Sequence, residues 1–192
     1  MNENVRECWN QRYRNTAIEQ RPAQVLLQHL HLLPITGRVL DLACGLGANA
    51  LLLARHGLQT WAWDISPVAI ARLNNAARAA GFVIQTEVRD VTVRPPQPDC
   101  FDVIVVSHFL ERSLANALQA ALCPGGLLFY QTFTKSRVDE TGPSNPDFRL
   151  DDNELLSLFG GLKLRVYREE GLLGDLHLGF RNEAMLVAQK DS

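Results

Sequence analysis

Short apolar runs alternate along this chain with segments in which hydrophobic residues recur every three or four positions. Apolar runs bounded by glycine, proline or acidic residues are typical of strands, whereas the longer spacing is typical of amphipathic helices. The strands predicted in this way cover residues 39–42, 59–63, 82–88, 101–106 and 127–133. Because helical segments separate them, the pattern predicts a parallel sheet with right-handed crossovers.

Proline, serine and glycine mark the ends of the helical segments. Pro22 and the Ser66-Pro67 pair suit the start of a helix, and Gly57 and Gly81 suit its end. The predicted helices cover residues 5–14, 22–33 and 113–122, together with the segments that end at Gly57 and Gly81.

The last third of the chain follows a different pattern. Residues 134–150 form a polar loop, and a short helix is predicted over residues 151–159. Residues 162–166 alternate between apolar and polar, residues 183–189 form a further apolar run, and two strands without a crossover helix pair antiparallel. We therefore predict one α/β domain over residues 1–192, with a seven-stranded, mostly parallel sheet, an antiparallel carboxy-terminal strand pair and helices on both faces.

Composition excludes several classes of function and leaves the predicted fold unchanged. The 192 residues suit one domain, and 19 Lys and Arg scattered among 21 Asp and Glu predict no nucleic-acid surface. The four cysteines include no C-x-x-C pair, so neither a metal site nor a dithiol motif is predicted. Neither a signal-like start nor a run of about 18 apolar residues is present, which predicts a cytoplasmic protein without a membrane partner.

The first predicted strand leads directly into a turn of small residues, Ala43-Cys44-Gly45-Leu46-Gly47. Glycines there let a ligand approach the backbone, and the helix that follows presents unpaired N–H groups. Asp64 ends the second strand, where a carboxylate can accept from ribose hydroxyls. The pattern predicts an adenosine-bearing ligand, but it also satisfies G-x-G-x-x-A, so an oxidoreductase that uses NAD or NADP is an alternative.

Two further acids favour a different ligand from a dinucleotide. Asp41 ends the first strand, where it would repel a pyrophosphate and attract a cationic amino-acid group. Asp90 follows the third strand, where its carboxylate could meet an exocyclic amine while Val91 contacts a purine face. Pro124-Gly125-Gly126 then precedes the fifth strand.

With these features the sequence resembles the class I S-adenosylmethionine-dependent methyltransferases over nearly its whole length. The segment DLACGLGANA is similar to the first motif of the family, with Ala43 where many members have a glycine. The resemblance implies a Rossmann-like fold in which the glycine turn holds the methionine part, Asp64 holds the ribose and Asp90 with Val91 marks the adenine. The implied cofactor-binding residues are Asp41, Ala43, Cys44, Gly45, Gly47, Asn49, Asp64, Ile65, Asp90, Val91 and Ser107.

Both ends of the chain resemble a narrower group, the small bacterial methyltransferases classed with tellurite-resistance enzymes. The segments that carry this likeness are WNQRY, GPSNPDFRLDDNELLSLF and LRVYREE. It implies a small-molecule acceptor, with S, N, O or a metalloid such as tellurite or selenite as the methylated atom, and a monomer or weak homodimer. Residues 1–33 would then form a helical cap, residues 34–133 the cofactor-binding core and residues 134–192 the acceptor side.

The acceptor site is less determined than the cofactor site. His108 follows the buried fourth strand and is a candidate general base, although methyl transfer to a soft or anionic nucleophile needs no base. Trp9, Tyr13 and Arg14 either close over the ligand or pack on the domain surface. The other predicted acceptor-side residues are Phe109, Tyr130, Thr132, Phe133 and Arg149. A binder that senses the cofactor without turnover is a further alternative.

Overall fold

In the computed structural model, which describes residues 3–16 and 21–192, seven strands form one sheet in the order β3-β2-β1-β4-β5-β7-β6. The strands are β1 (Arg38–Leu42), β2 (Gln59–Asp64), β3 (Ile84–Val88), β4 (Phe101–Ser107), β5 (Leu122–Phe133), β6 (Lys163–Glu169) and β7 (Glu183–Gln189). Neighbouring strands from β3 to β5 are parallel, and β7 is antiparallel to both β5 and β6. The predicted fold class is confirmed.

The helices are α1 (Glu3–Asn15), α2 (Gln24–Gln28), α3 (Ala48–Arg55), α4 (Pro67–Ala79), α5 (Ala115–Ala121) and α6 (Glu154–Leu158). Ser66 caps α4 as predicted, because its side chain accepts from the N–H of Ala69 at 3.2 Å. The predicted cap over residues 1–33 includes residues 1–2 and 17–20, which lie outside the described part of the chain. None of the helices within the described ranges is long and apolar enough to cross a bilayer.

The helix predicted over residues 22–33 is interrupted in the structure. α2 ends at Gln28, and a 3₁₀ turn, Leu30–Leu32, follows after His29. The His29 ring bonds the carbonyl oxygen of Val25 at 2.8 Å, and the His29 N–H bonds Leu26 instead. A side chain thus takes the carbonyl that the main chain would need to continue the α-helix.

β5 begins five residues earlier than predicted, and α5 ends at Ala121, one residue before the predicted end of that helix. Leu122 already pairs with Phe101, and the register shifts before Val103 pairs with Leu127. The glycines of the predicted turn are therefore part of the sheet, where Gly126 accepts from the N–H of Lys190 at 2.9 Å. Pairing partners distant in sequence decide this boundary.

Smaller differences affect three other elements. β3 begins at Ile84 because the N–H of Phe82 still bonds the end of α4. β6 extends to Glu169 because its last residues continue to pair with β7. α6 begins at Glu154 rather than at Asp151, whose side chain bonds Lys135.

Successive apolar side chains of the central strands point to opposite faces of the sheet, so a hydrophobic core forms on each face. Leu40, Ile104 and Leu128 pack on the side covered by α5 and α6. Val39 and Val103, one residue away in each strand, pack on the side of α2 and α3. Both faces of β1 and β4 are buried as a result, which places their carboxyl ends in the middle of one sheet edge.

Candidate active site

The carboxyl ends of β1 and β4 meet where the strand order reverses. Crossovers on either side of such a switch point leave on opposite faces, which opens a crevice for ligands in parallel α/β sheets. The backbone there is left-handed at Ala43 (φ 55°), Gly45 (φ 54°) and Gly47 (φ 79°) after β1, and at His108 (φ 53°) after β4. Two of these four residues are not glycine, and strained backbone of this kind concentrates at functional sites.

Asp41, near the end of β1, is fully buried. One carboxylate oxygen accepts from the N–H of Ala50 in the first turn of α3 at 3.0 Å, and the other lies 3.4 Å from the amide nitrogen of Asn49. Burial raises the pKa of Asp41 to about 8, and the neighbouring charge of Asp64 adds to the rise. Burial without a cationic partner among the described residues therefore disfavours the charged form of this carboxyl.

Asp64 connects the glycine turn to the next helix. One oxygen accepts from the N–H of Gly45 at 2.9 Å, and the other accepts from the N–H of Ser66 at 2.8 Å. Burial raises the pKa of Asp64 as well. Both oxygens retain a lone pair for a further donor, so these bonds are compatible with the predicted contact to ribose.

A buried amide network lies beneath the two acids. Asn49 donates to the hydroxyl of Ser107 at 2.9 Å and accepts from the N–H of Ala23 at 2.8 Å. Gln131, which the site prediction missed, accepts from the N–H of Val25 at 2.7 Å and donates to Glu183. A polar residue inside an apolar strand run was the available signal for Gln131. The network fixes the start of α2 to the ends of β4 and β5.

The two glycines of the turn have different neighbours. A Cβ on Gly47 would lie 2.3 Å from the Cδ1 atom of Leu73 in α4. A Cβ on Gly45 would lie 2.9 Å from the hydroxyl of Tyr13 in α1. Gly47 is therefore required for helix packing as well as for its backbone angle, whereas Gly45 is covered by the amino-terminal helix.

α1 lies over the glycine turn and the start of α4. Tyr13 is buried and packs on Leu46 and Ala69, and Trp9 stacks on Tyr13 with 5.5 Å between ring centroids. Asn10 accepts from the hydroxyl of Ser66 at 2.6 Å, a contact that the site prediction missed.

The third predicted lid residue, Arg14, does not join this contact. Its side chain is 54% exposed and pairs with Glu7 at 3.0 Å, and Glu7 also accepts from the side-chain amide of Asn10 at 3.1 Å. Arg72 of α4 instead holds the end of the helix, by donating to the carbonyl oxygens of Thr16, at 3.0 Å, and Tyr13.

The remaining predicted cofactor residues differ in how exposed they are and in which residues they contact. Asp90 accepts from the hydroxyl of Thr92 at 2.6 Å, and Val91 is buried in the same core cluster as Trp63. Cys44 is buried, and burial raises the pKa of its thiol, which keeps it protonated. Ile65 follows β2 and is partly exposed. These positions surround the ends of β1 to β3, and their cofactor roles stay predictions.

On the acceptor side, His108 and Phe133 lie together. Their rings stack with centroids 4.8 Å apart, and His108 Nε2 lies 3.0 Å from a carboxylate oxygen of Glu183. Glu183 begins β7 opposite Phe133, so the strand register brings this acid to the imidazole. The site prediction did not include Glu183, whose position depends on a pairing distant in sequence.

The other predicted acceptor residues do not share one cavity. Tyr130 is buried and donates to the carbonyl oxygen of Phe109 at 2.7 Å, and burial raises the pKa of its phenol. Thr132 is also buried, on the same face of β5 as Tyr130 and opposite to Phe133. Adjacent positions of a strand cannot all line one pocket, so Tyr130 and Thr132 belong to the core in this conformation.

Within residues 3–16 and 21–192, no cluster of three or more His, Cys, Asp or Glu side chains is arranged to hold a metal ion.

A family model described as a methyltransferase domain matches residues 11–170. Among curated proteins, the probable S-adenosyl-L-methionine-dependent methyltransferase TehB of Haemophilus influenzae strain 10810 is 30% identical over 147 residues, covering 73% of this chain and 50% of that protein. The ubiquinone biosynthesis O-methyltransferase of Albidiferax ferrireducens is 31% identical over 114 residues, covering 55% of this chain and 45% of that protein. The chain spans about half the length of these relatives.

Solved structures show the same fold. The crystal structure of Haemophilus influenzae TehB has a TM-score of 0.71 at 24% identity and covers 97% of this chain and 67% of that chain. A structure from a study of disulfide-to-thioacetal conversion in echinomycin biosynthesis has a TM-score of 0.71 at 23% identity, covering 97% and 92% of the two chains. Because the family model matches residues 11–170 out of 192, the chain belongs to the methyltransferase domain family.

Proposed function

We propose that this protein transfers a methyl group from S-adenosylmethionine to a small-molecule acceptor. The observation that carries the proposal is a pair of buried carboxylates, Asp41 and Asp64, on either side of a glycine turn at the switch point. Neither forms an ion pair with any residue in the described ranges. Buried acids without a cationic partner favour a ligand that supplies the positive charge.

The residues present fit this cofactor better than a dinucleotide. Asp64 can accept from ribose hydroxyls, and Asp41 lies where a cationic amino-acid group would relieve its burial. A pyrophosphate at the turn would instead meet the carboxylate of Asp41. The antiparallel β7 between β5 and β6 also departs from the 3-2-1-4-5-6 order of dinucleotide-binding sheets.

When bound, S-adenosylmethionine supplies an electrophilic methyl group on a sulfonium. In the chain, the turn after β1 and the end of β4 hold the two reactants near each other, because alignment provides most of the rate in such transfers. Glu183 orients the His108 ring at the end of β4, where the imidazole can accept a proton from an acceptor that needs deprotonation. An anionic or soft acceptor would need only the positioning.

α1 is proposed to cover the cofactor. Tyr13 lies directly on Gly45, and Asn10 connects the helix to the cap of α4. The same contacts bury Asp64, so the closed helix would exclude water from the carboxylate that binds ribose. Entry of a cofactor would require α1 to move away from the turn.

The acceptor is proposed to be small, with S, N, O or a metalloid as the methylated atom. Among the described residues, the segments that add surface at the carboxyl edge include α1, residues 134–150 and the β6–β7 loop over residues 170–182, and each of them is short. Short segments favour a small acceptor. One relative is named as an O-methyltransferase of ubiquinone biosynthesis, and another is named TehB without an acceptor in its name. The proposed class of acceptors includes an oxygen atom, as in the first name.

Calorimetric titration with S-adenosylmethionine, S-adenosylhomocysteine and NAD, side by side, tests the cofactor. We expect micromolar binding of the first two and none of NAD. Release of S-adenosylhomocysteine with a panel of thiols, phenols, amines, selenite and tellurite then tests turnover. Binding of NAD alone would contradict the proposal, and cofactor binding without turnover on any acceptor would favour a sensor.

A further inference from the structure

The loop between β5 and α6, residues 134–150, is closed at its base. Thr134 and Leu150 form an isolated bridge, and the N–H of Lys135 bonds the carbonyl oxygen of Leu150 at 2.8 Å. The N–H of Leu150 in turn bonds Phe133 at 2.8 Å. These contacts make the loop an ordered enclosure at the carboxyl end of β5.

Arg149 lies inside this enclosure and is only 2% exposed. Its guanidinium donates to the carbonyl oxygens of Thr134 at 2.9 Å, Pro143 at 2.7 Å and Thr141 at 2.5 Å. Within the described residues it forms no salt bridge. Buried arginines are usually paired with an acid, so this one is placed for a negative charge that its carbonyl partners supply only in part.

A cavity of about 220 Å³ opens beside Arg149. Its lining consists of Lys135, Arg137, Ser144, Pro146 and Arg149. Three of the five side chains are cationic, one carries a hydroxyl and none is acidic. Burial, and then the positive charge of Arg137, lower the pKa of Arg149, whereas Glu140 and Asp139 act in the opposite direction.

The acids nearest this cavity have partners of their own, and one of these partners, Lys135, lines the cavity itself. Asp139 accepts from the N–H of Thr141 at 2.7 Å and from Asn182 at 2.9 Å. Asp151 bonds Lys135 at 2.8 Å.

Glu140 lies 2.9 Å from the Nη1 atom of Arg137, but its own side chain is 85% exposed. An exposed carboxylate contributes little to an ion pair, so an incoming anion could displace it from Arg137.

Phe133 connects the cavity to the reaction centre. One contact of its ring is the His108 imidazole, and the Cζ atom of Arg149 lies 5.6 Å from the ring centroid. The cavity and His108 therefore lie at the same edge of the sheet, separated by one aromatic side chain. A small molecule could reach from one to the other.

We propose that this cavity binds an anionic group, a carboxylate, a phosphate or another oxyanion, between Arg137 and Arg149. Guanidinium groups suit this task because their forked donors match the oxygens of such anions. We assign the anionic group to the methyl acceptor, an assignment that rests on the proposed function. The nucleophilic atom of the acceptor would then lie toward His108. A free inorganic anion is the other source of the same chemistry.

Nuclear magnetic resonance titration of the full chain with inorganic phosphate tests the binding site. We expect saturable amide shifts that are concentrated in residues 134–149. Arg137→Gln should weaken the binding at least about tenfold, because one of two charge-assisted contacts is lost. Glu140→Gln should tighten it, because the competing carboxylate is gone.

Arg165→Gln is the matched control, since Arg165 lies on β6 and bonds Gln189 at 2.6 Å. It should leave phosphate binding unchanged. Shifts spread evenly over the surface, no saturable shifts, or equal affinity of the wild type and Arg137→Gln would each overturn the site. Amide spectra of every variant show whether the fold is retained.

The source of the anion is tested with 3-mercaptopropionate and its neutral analogue 2-mercaptoethanol. An acceptor site predicts that the acid shifts both residues 134–149 and the resonances of His108 and Phe133, whereas the neutral thiol binds at least about tenfold more weakly. Shifts with phosphate but none at His108 with the acid would overturn the acceptor assignment. Calorimetry with S-adenosylmethionine on the same samples separates this failure from a failure of the proposed function.

Discussion

Asp41 and Asp64 oppose stability through their burial, and the proposed function assigns both of them to ligand binding. Each is buried with hydrogen bonds from N–H groups but without a cation among the described residues. Burial raises the pKa of both. The free energy lost by burying the acids is recovered in part when a cationic ligand binds.

The pH dependence of stability should therefore carry the signature of Asp41. Its pKa is raised from 3.8 to about 8 on folding, so the folded state holds a proton that the unfolded chain releases between these values. The contribution of this bound proton to the unfolding free energy is largest below the pKa of the unfolded chain. It is lost as the pH rises toward about 8. Asp41→Asn, which cannot ionise, should flatten this decline.

We expect the wild type to lose about 1–4 kcal/mol more unfolding free energy than Asp41→Asn between about pH 5 and pH 8. Urea denaturation of both proteins at the two pH values measures it. Parallel pH profiles for the two proteins would contradict a raised pKa for Asp41.

Substitution of Asp64 should affect both the ligand and the fold. Two charge-assisted hydrogen bonds to ribose are worth roughly 1.5–3 kcal/mol, so Asp64→Ala should weaken binding of S-adenosylmethionine about 10- to 150-fold. The N–H groups of Gly45 and Ser66 would lose their acceptor, so denaturation midpoints should also fall. Calorimetry at a temperature where the variant is folded separates the two effects.

The exposed Asp152→Ala is the control for this change and should leave both quantities unaltered. An unchanged cofactor affinity in folded Asp64→Ala would remove Asp64 from the ligand site.

Gly47 and Gly57 can be compared to measure how much unfolding free energy is lost when a side chain is added to a glycine. Both have left-handed backbone, with φ of 79° and 82°, but a Cβ at Gly57 would meet nothing within 4 Å. Gly57→Ala should cost only the backbone strain, about 1–2 kcal/mol. Gly47→Ala adds a clash with Leu73, typically a further 1–3 kcal/mol or so. Equal losses in urea denaturation would show that Leu73 adjusts without cost.

At the scale of elements, α1 presents two different faces. Tyr13 and Asn10 lie on the glycine turn and α4, whereas Arg14 lies on the exposed side. The helix packs chiefly on α4 and is not a strand of the sheet, so we expect that its position can change without disrupting the sheet.

If α1 covers the cofactor, changes on its two faces should have different effects. Tyr13→Ala should speed dissociation of S-adenosylmethionine and weaken its binding roughly tenfold, because the water-excluding contact is lost. Gln11→Ala, at an exposed position of the same helix, should leave both values unchanged. Stopped-flow fluorescence and calorimetry measure them, and deletion of residues 1–15 without any effect on affinity or turnover would exclude the lid role.

For the whole molecule, the sheet order decides where a ligand can bind and stabilise the fold. The proposed site lies between the ends of β1 and β4, so a cofactor bound there would contact the centre of the sheet rather than its edge. A ligand at about 100 times its dissociation constant stabilises the native state by about 2.7 kcal/mol.

Thermal unfolding should respond accordingly. The midpoint should rise by several degrees with saturating S-adenosylmethionine, by about 2–4 °C for each kcal/mol at this chain length, and NAD should produce no shift. Differential scanning calorimetry measures both. A larger shift with NAD would point to the oxidoreductase alternative.

Local patterns in the sequence were sufficient for the element order and for the first part of the site. The glycine turn after β1, the acid that ends β2 and the Ser66 cap are each specified by a few neighbouring residues with defined backbone or hydrogen-bonding requirements. The strict alternation over residues 162–166, at the start of β6, and the apolar run of β7 likewise predicted an antiparallel pair, which the structure has.

Contacts between distant residues decided the rest. The pairing of Glu183 with Phe133 brings an acid to His108, Leu73 determines why Gly47 must be glycine, and Tyr13 closes over Gly45. The enclosure around Arg149 exists only because the two ends of a polar loop bond to each other. Sequence alone therefore determined the fold class and the cofactor-type motif, because strand periodicity and turn chemistry are local. Only the tertiary structure decided which side chains face one another, because register and helix packing join residues that the chain order separates.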